Sequence, residues 1–179
     1  MTPAPVRRYE AFAPLVVFVV GLLTIAGAWG FELLGGFVPC KLCLEERVPY
    51  YIGLPFALAA LLAALAGAKP TVPRMLLIVT GIAFAYNVYL GGYHAGAEWG
   101  FWPGPSDCGA GGAGPATSAA DLLNQLKGIR IVSCSEASWR FLFLSFAGWN
   151  FVISLFLAVV AFWGAFRPLA PEPAEHPAG

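Results

Sequence analysis

Charge is what this chain has least of: of its 179 residues only 11% are Asp, Glu, Lys or Arg, ten basic against ten acidic. A soluble domain carries about a quarter charged residues, so an ordinary water-facing surface is excluded. No basic excess exists to neutralise phosphates, which excludes nucleic acid as a partner. The short-period alternation of an outer-membrane barrel is also missing. Histidine and methionine number two each and cysteine four, so any chemistry must be concentrated in few side chains. In their place stand apolar residues, 59% of the chain, in a length that suits one compact unit.

The apolar residues fall in runs. About 20 of them cross a hydrocarbon core of roughly 30 Å at 1.5 Å per residue, and four stretches reach that length, approximately 13–34, 48–68, 75–92 and 141–166. Backbone inside lipid must satisfy its own hydrogen bonds. The expected fold is therefore all-α, a polytopic membrane protein with a four-transmembrane-helix bundle as a single domain over 1–166. The third span is diluted at its far end by Tyr86, Asn87 and Tyr89. The Pro-rich tail 167–179 reads as disordered and cytoplasmic.

Basic residues set the orientation. Arg7, Arg8, Lys69, Arg74 and Arg167 lie on one side, densely placed in tails and a short loop. Lys41, Arg47, Lys127, Arg130 and Arg140 lie on the other, diluted among acids. Density places both termini in the cytoplasm and the loops 35–47 and 93–140 outside. Arg7 and Arg8 before an apolar run also fit a cleavable signal, but the run continues through Trp29 and Phe31 to Leu34, which favours an uncleaved span.

All four cysteines sit in those two outer loops. Cys40 and Cys43 form a C-x-x-C, and Cys108 and Cys134 flank a Gly-rich segment of the long loop. Two per loop in an oxidising compartment suggest two bridges. A C-x-x-C bridge closes too small a ring to constrain the unfolded chain much, whereas redox pairs favour it because the second thiol resolves a mixed disulfide. Structural staples are the competing reading. A four-thiolate zinc site is disfavoured because the second pair lacks zinc-ribbon spacing, so no metal is expected.

Cys43 stands one helical turn before Arg47 where the second span begins, and a helix N-terminus and a guanidinium both stabilise a thiolate. Cys43 is thus the expected low-pKa sulfur. Arg47 also reads as an interfacial anchor. His94, with Glu98 a turn beyond, reads either as an interfacial residue or as a proton donor and acceptor at a bound cofactor. Trp99, Phe101, Trp102, Tyr50, Tyr51 and Trp139 read as belt residues or as walls for a flat ligand, and Asn87 and Asn150 as helix bridges. In the long loop, Ser118 to Asp121 gives a capping signature before Leu122, Leu123, Leu126 and Ile129. This predicts a short amphipathic helix on the membrane surface in the second periplasmic loop.

Four spans, a C-x-x-C followed by Glu46 and Arg47 at the second, and a second cysteine pair in the last outer loop together resemble the DsbB family of quinone-coupled thiol oxidases, over roughly 13–166. The resemblance implies a bacterial inner-membrane protein that reoxidises a DsbA-like periplasmic thioredoxin-fold partner and passes electrons to ubiquinone or menaquinone. It implies that Cys108 forms the mixed disulfide, that Cys134 resolves it, and that Cys40 and Cys43 hand electrons to quinone with Cys43 at the ring. Arg47 would stabilise the electron-rich quinone, and His94 matches the family's histidine near it. The segment from Tyr93 to Trp102 resembles a branch distinct from the best-known members. Two other functions compete: a quinone reductase of the vitamin K epoxide reductase type, disfavoured because its C-x-x-C lies late in the chain, and a non-catalytic membrane scaffold stapled by disulfides.

Overall fold

The computed structural model describes residues 5–105, 130–131, 134–137 and 139–168. Helix α1 runs Pro5–Leu33, strand β1 Phe37–Val38, the short α2 Lys41–Glu45, α3 Val48–Ala66 and α4 Thr71–Glu98. Strands β2 (Arg130–Ile131), β3 (Arg140–Phe141) and β4 (Leu144–Ser145) precede α5, Phe146–Phe166. Four stretches are long and apolar enough to cross a membrane: Glu10–Leu33, Lys41–Ala66, Thr71–Glu98 and Phe146–Phe166. The four-helix membrane architecture expected from the hydropathy is thus observed.

Helices α1 and α4 begin eight and four residues before the approximate spans, and three further boundaries differ for reasons the structure shows. Helix α4 does not stop near residue 92 but continues to Glu98. Its diluting Asn87 is buried in the bundle, where its amide nitrogen donates to Asn150 Oδ1 at 3.2 Å and to Ser154 Oγ at 2.9 Å while its amide oxygen has no hydrogen-bond partner among the described residues. The last span begins at Phe146, five residues later than hydropathy indicates, because residues 140–145 pair with each other: Arg140 faces Ser145 and Phe141 faces Leu144 in an antiparallel hairpin. Ser145 then caps α5, its hydroxyl accepting from Gly148 N at 3.1 Å. The second span ends at Ala66, because Gly67 adopts the left-handed region (φ 73°) and Ala68 N bonds Ala63 O at 3.0 Å, a Schellman stop. The amphipathic helix expected over 118–129, Cys108, and the tail beyond Pro168 lie outside the described residues.

The helices pack in a ring, α1 against α3, α3 against α4, α4 against α5 and α5 back against α1, the last seam being the thinnest. Ala13, Val17, Leu54, Ala57, Leu77, Phe84, Leu157 and Ala161 fill the centre. Lipid offers no hydrophobic drive between helices, so small residues that let backbones approach do the packing. In the first turns of α3 and α5, Tyr50 of α3 donates to Asn150 Oδ1 of α5 at 2.9 Å, and Asn87 of α4 donates to the same oxygen. Asn87 and Asn150 thus bridge helices, as their intramembrane positions suggest. At one end Arg74 Nη2 bonds Arg167 O at 2.8 Å. At the other, where α1 ends, α2 begins, α4 ends and α5 begins, a second apolar cluster forms around Cys40, Leu42 and Cys134.

Candidate functional site

Every site residue among those described gathers at that second end. Parallel pairing of β1 with β2, Phe37 opposite Arg130 and Val38 opposite Ile131, ties the first outer loop to the second. Cys40 follows β1 as the N-cap of α2, in extended conformation, with its sulfur accepting from Cys43 N at 3.2 Å. One turn of α2 then sets the Cys40 and Cys43 sulfurs 2.6 Å apart, both as free cysteines. The bridge expected between these two is open in this structure. Cys134 is disulfide-bonded, and its sulfur, the Cys40 sulfur and a ring nitrogen of His94 all lie within 4.8 Å of one another.

His94 connects the sulfurs to two carboxylates. Its Nε2 lies 3.9 Å from Cys40 Sγ and 4.0 Å from Glu98 Oε1, and its Nδ1 lies 2.8 Å from Glu46 Oε1. All three side chains are buried. Glu98 accepts in turn from the hydroxyl of Ser145 at the head of α5. Arg47, also buried, pairs its guanidinium with Glu32 of α1 and lies over the Trp29 ring at 5.1 Å. Neither carboxylate nor cation could sit so far from water without such a partner.

The low-pKa sulfur is Cys40, not Cys43. Cys40 is held at about 5, well below the usual thiol value, chiefly by the hydrogen bond from the Cys43 side chain, against the opposing effect of burial, and then by His94. The expectation for Cys43 assumed that α2 and the second span were one helix beginning at that residue. Helix α2 begins at Lys41, two residues before Cys43, so the N-cap position and its backbone donor fall to Cys40. Arg47 is engaged with Glu32 and Trp29. In the reduced protein, the thiolate ultraviolet absorbance lost in Cys40→Ala should titrate with a midpoint near pH 5, leaving the thiolate present above that pH and lost below it. A midpoint near the ordinary 8–9 would remove the assignment.

Beside the sulfurs lies a cavity of about 420 Å³, between α1 and α5 and floored by α3. Cys43, Glu46, Arg47, Tyr50 and His94 reach it, and most of its remaining wall is apolar. Phe31, Phe37, Phe146 and Trp139 form a continuous aromatic side, with ring centroids 4.9 Å apart for Phe31 and Phe146 and 5.0 Å for Trp139 and Phe146. The volume and the few convergent polar groups are those of a small-molecule site. Sequence reasoning located Cys40, Cys43, Cys134, Arg47 and His94 but not Glu46 as the partner of His94, nor Ser145 as the partner of Glu98. Burial of an acid beside a sole nearby histidine was the available signal for the former, and nothing in the sequence indicated the latter.

Fold and site together define a multi-pass membrane protein built for thiol chemistry. The family model described as "Disulfide bond formation protein DsbB" matches residues 10–164. The chain belongs to the DsbB family and is a disulfide-forming oxidoreductase. Among curated relatives it is 28% identical to Disulfide bond formation protein B of Nitrosococcus oceani over 156 residues, covering 82% of this chain and 85% of the relative. It is 26% identical to Disulfide bond formation protein B of Xanthomonas campestris pv. campestris over 165 residues, 87% and 92% of the two chains. No solved structure matches it.

Proposed function

We propose that the protein reoxidises a soluble periplasmic dithiol protein of the DsbA kind and delivers the electrons to a membrane quinone, ubiquinone or menaquinone, from the inner membrane of a bacterium with both termini cytoplasmic. One observation carries this reading: of two adjacent sulfurs, Cys40 faces Cys134 and Cys43 faces the apolar cavity. A thiol relay from water to lipid needs that division.

In this reading the partner's thiolate attacks Cys108 of a Cys108–Cys134 disulfide, forming the mixed disulfide and releasing Cys134 as a thiolate. The partner's second thiol closes its own disulfide and leaves Cys108 reduced. Cys134 attacks the Cys40–Cys43 disulfide at Cys40, the nearer sulfur, and Cys43 is released. Cys108 then attacks Cys134, which restores the outer bridge and frees Cys40. The reduced state seen here follows, with Cys40 as thiolate and Cys43 facing the cavity. A low pKa at Cys40 stabilises the reduced pair and so makes its disulfide the better oxidant. A quinone in the cavity supplies an acceptor of two electrons and two protons. Closing the Cys40–Cys43 bond releases two electrons and the Cys43 proton, and the second proton comes from solvent or the buried His94 and Glu46 pair. The aromatic wall suits a flat ring, and Arg47 offers a cation where negative charge develops.

The test is a reconstituted assay with ubiquinone or menaquinone and a reduced thioredoxin-fold protein. Quinone-dependent oxidation of the dithiol is expected, and its absence with both quinones would overturn the reading. Arg47→Ala should raise the quinone concentration needed about tenfold or more, in line with the roughly 1.5–3 kcal/mol of a charged hydrogen bond. An unchanged requirement would return Arg47 to an anchor paired with Glu32.

A further inference from the structure

The hairpin in front of α5 breaks the rules of its own turn. Its two central residues, Leu142 (φ 48°) and Phe143 (φ 71°), both lie at positive φ, the pattern of a type I′ turn. That turn favours Asn and Gly, because a bulky side chain at positive φ crowds the backbone. Here both positions carry large apolar side chains, and both project outward, Leu142 65% and Phe143 91% exposed. A water-facing turn would gain nothing from this choice and would lose both the conformational preference and the solvation.

The setting says what the tip faces. Ser145 caps a membrane-spanning helix that begins at Phe146, so the hairpin stands at the level where that helix leaves the hydrocarbon. Its stem is held there by Trp149, whose indole N–H donates to Phe141 O at 3.0 Å, and by Trp139, stacked on Phe141 at 5.8 Å and 3°. Tryptophan in that role marks the membrane interface. On α5 itself Val152, Leu155 and Phe156 are likewise exposed apolar side chains, as a lipid-facing helix requires. Trp139 and Phe141 at the same time line the cavity.

We propose that Leu142 and Phe143 are seated in the acyl region of the outer leaflet, so that the hairpin forms the lipid-side lip of the cavity and admits a molecule dissolved in the bilayer. The strain of the turn is offset by burying two apolar side chains in lipid, and the stem couples that seat to the cavity wall. The second half of the proposal rests on the quinone reading above; the first half does not.

The experiment uses the full chain in lipid nanodiscs. With Phe143→benzoylphenylalanine, illumination should yield adducts to lipid acyl chains, read by mass spectrometry. Adducts to the soluble dithiol protein or to a second copy of this chain, in place of lipid, would overturn the seat. The double variant Leu142→Asn with Phe143→Gly supplies the preferred I′ residues, so the hairpin is kept or strengthened while the apolar tip is removed. It should unfold at the same or a higher temperature and raise the KM for a long-tailed quinone several-fold. Its kcat, its KM for the dithiol protein and its KM for a short-tailed, water-soluble quinone should be unchanged. Equal KM for the long-tailed quinone would overturn the role at the cavity. If the wild type reduced no quinone at all, the adducts would still decide the lipid seat.

Discussion

Cys134→Ala should abolish turnover, by at least about a thousandfold, and, when offered the partner in its oxidised form, accumulate a mixed disulfide with it through Cys108. The reason lies in which sulfur each exchange requires. Thiol–disulfide exchange proceeds only by attack of one sulfur on another through a mixed disulfide. Cys134 is the outer-loop sulfur within 4.8 Å of Cys40. Without it Cys108 is a lone thiol: it cannot oxidise a reduced partner, but it attacks the disulfide of an oxidised partner, releasing that partner's other sulfur as a thiolate, and has no neighbouring thiol to displace the partner or to reach the inner pair. Cys43→Ser should cause a comparable loss by a different route, because the inner pair can no longer close, and it should leave the outer bridge reducible by the partner. Non-reducing electrophoresis with thiol trapping separates the two, one stalled as a complex and the other stalled as reduced protein. Turnover retained in either variant would sink the relay. In cells lacking quinone the same trapping should find the wild-type cysteines reduced; cysteines that stayed fully oxidised there would be staples.

The second large effect is on stability, at the opposite end of the bundle. A Cβ placed on Gly164 would lie 2.4 Å from Ala13 Cβ and 3.0 Å from a Leu77 methyl carbon, so α1 and α5 touch there through the missing side chain. Gly164→Leu must push the helices apart at the thinnest seam, and overpacking of this kind costs about 1–3 kcal/mol. The unfolding midpoint in detergent should fall by roughly 2–12 °C, using about 2–4 °C per kcal/mol for a chain of this size. Gly30→Ala is the control: nothing lies within 4 Å of its added Cβ, and alanine is the better helix former by about 1 kcal/mol, so its midpoint should hold or rise. Gly164→Leu with an unchanged midpoint would show that the seam yields without cost.

Much of this molecule is legible in its sequence because lipid simplifies the code. Span length and composition are dictated by the thickness of the hydrocarbon, and the cysteines announce themselves by spacing and by side of the membrane. The hairpin escaped because Phe141, Leu142, Phe143 and Leu144 extend the hydropathy of the last span without a break, and the turn lacks the glycine or asparagine that marks one. The His94 and Glu46 contact escaped because it joins residues 48 apart on separate elements, which periodicity along one helix cannot show. The sulfur of lowered pKa was not legible because its chief cause is the hydrogen bond between the two thiols, followed by His94 from a separate helix, and neither contact exists until α2 and α4 are in place. Arg47 was legible as a cation near the sulfurs, but its engagement with Glu32 and Trp29 required the approach of α1.

The contacts among Tyr50, Asn87, Asn150 and Ser154 bear on more than helix association. They join three helices, and a slide of α5 by one turn, about 5.4 Å, would break its bonds to both Tyr50 of α3 and Asn87 of α4. Smooth apolar helices in lipid can trade one packing for another at little cost, but a set of hydrogen bonds that fits only one alignment cannot. The alignment at which α4 carries His94 and α5 carries Ser145 is thereby gauged from within the bundle, roughly one to two turns below the sulfurs, so the sulfur cluster keeps its height relative to the cavity.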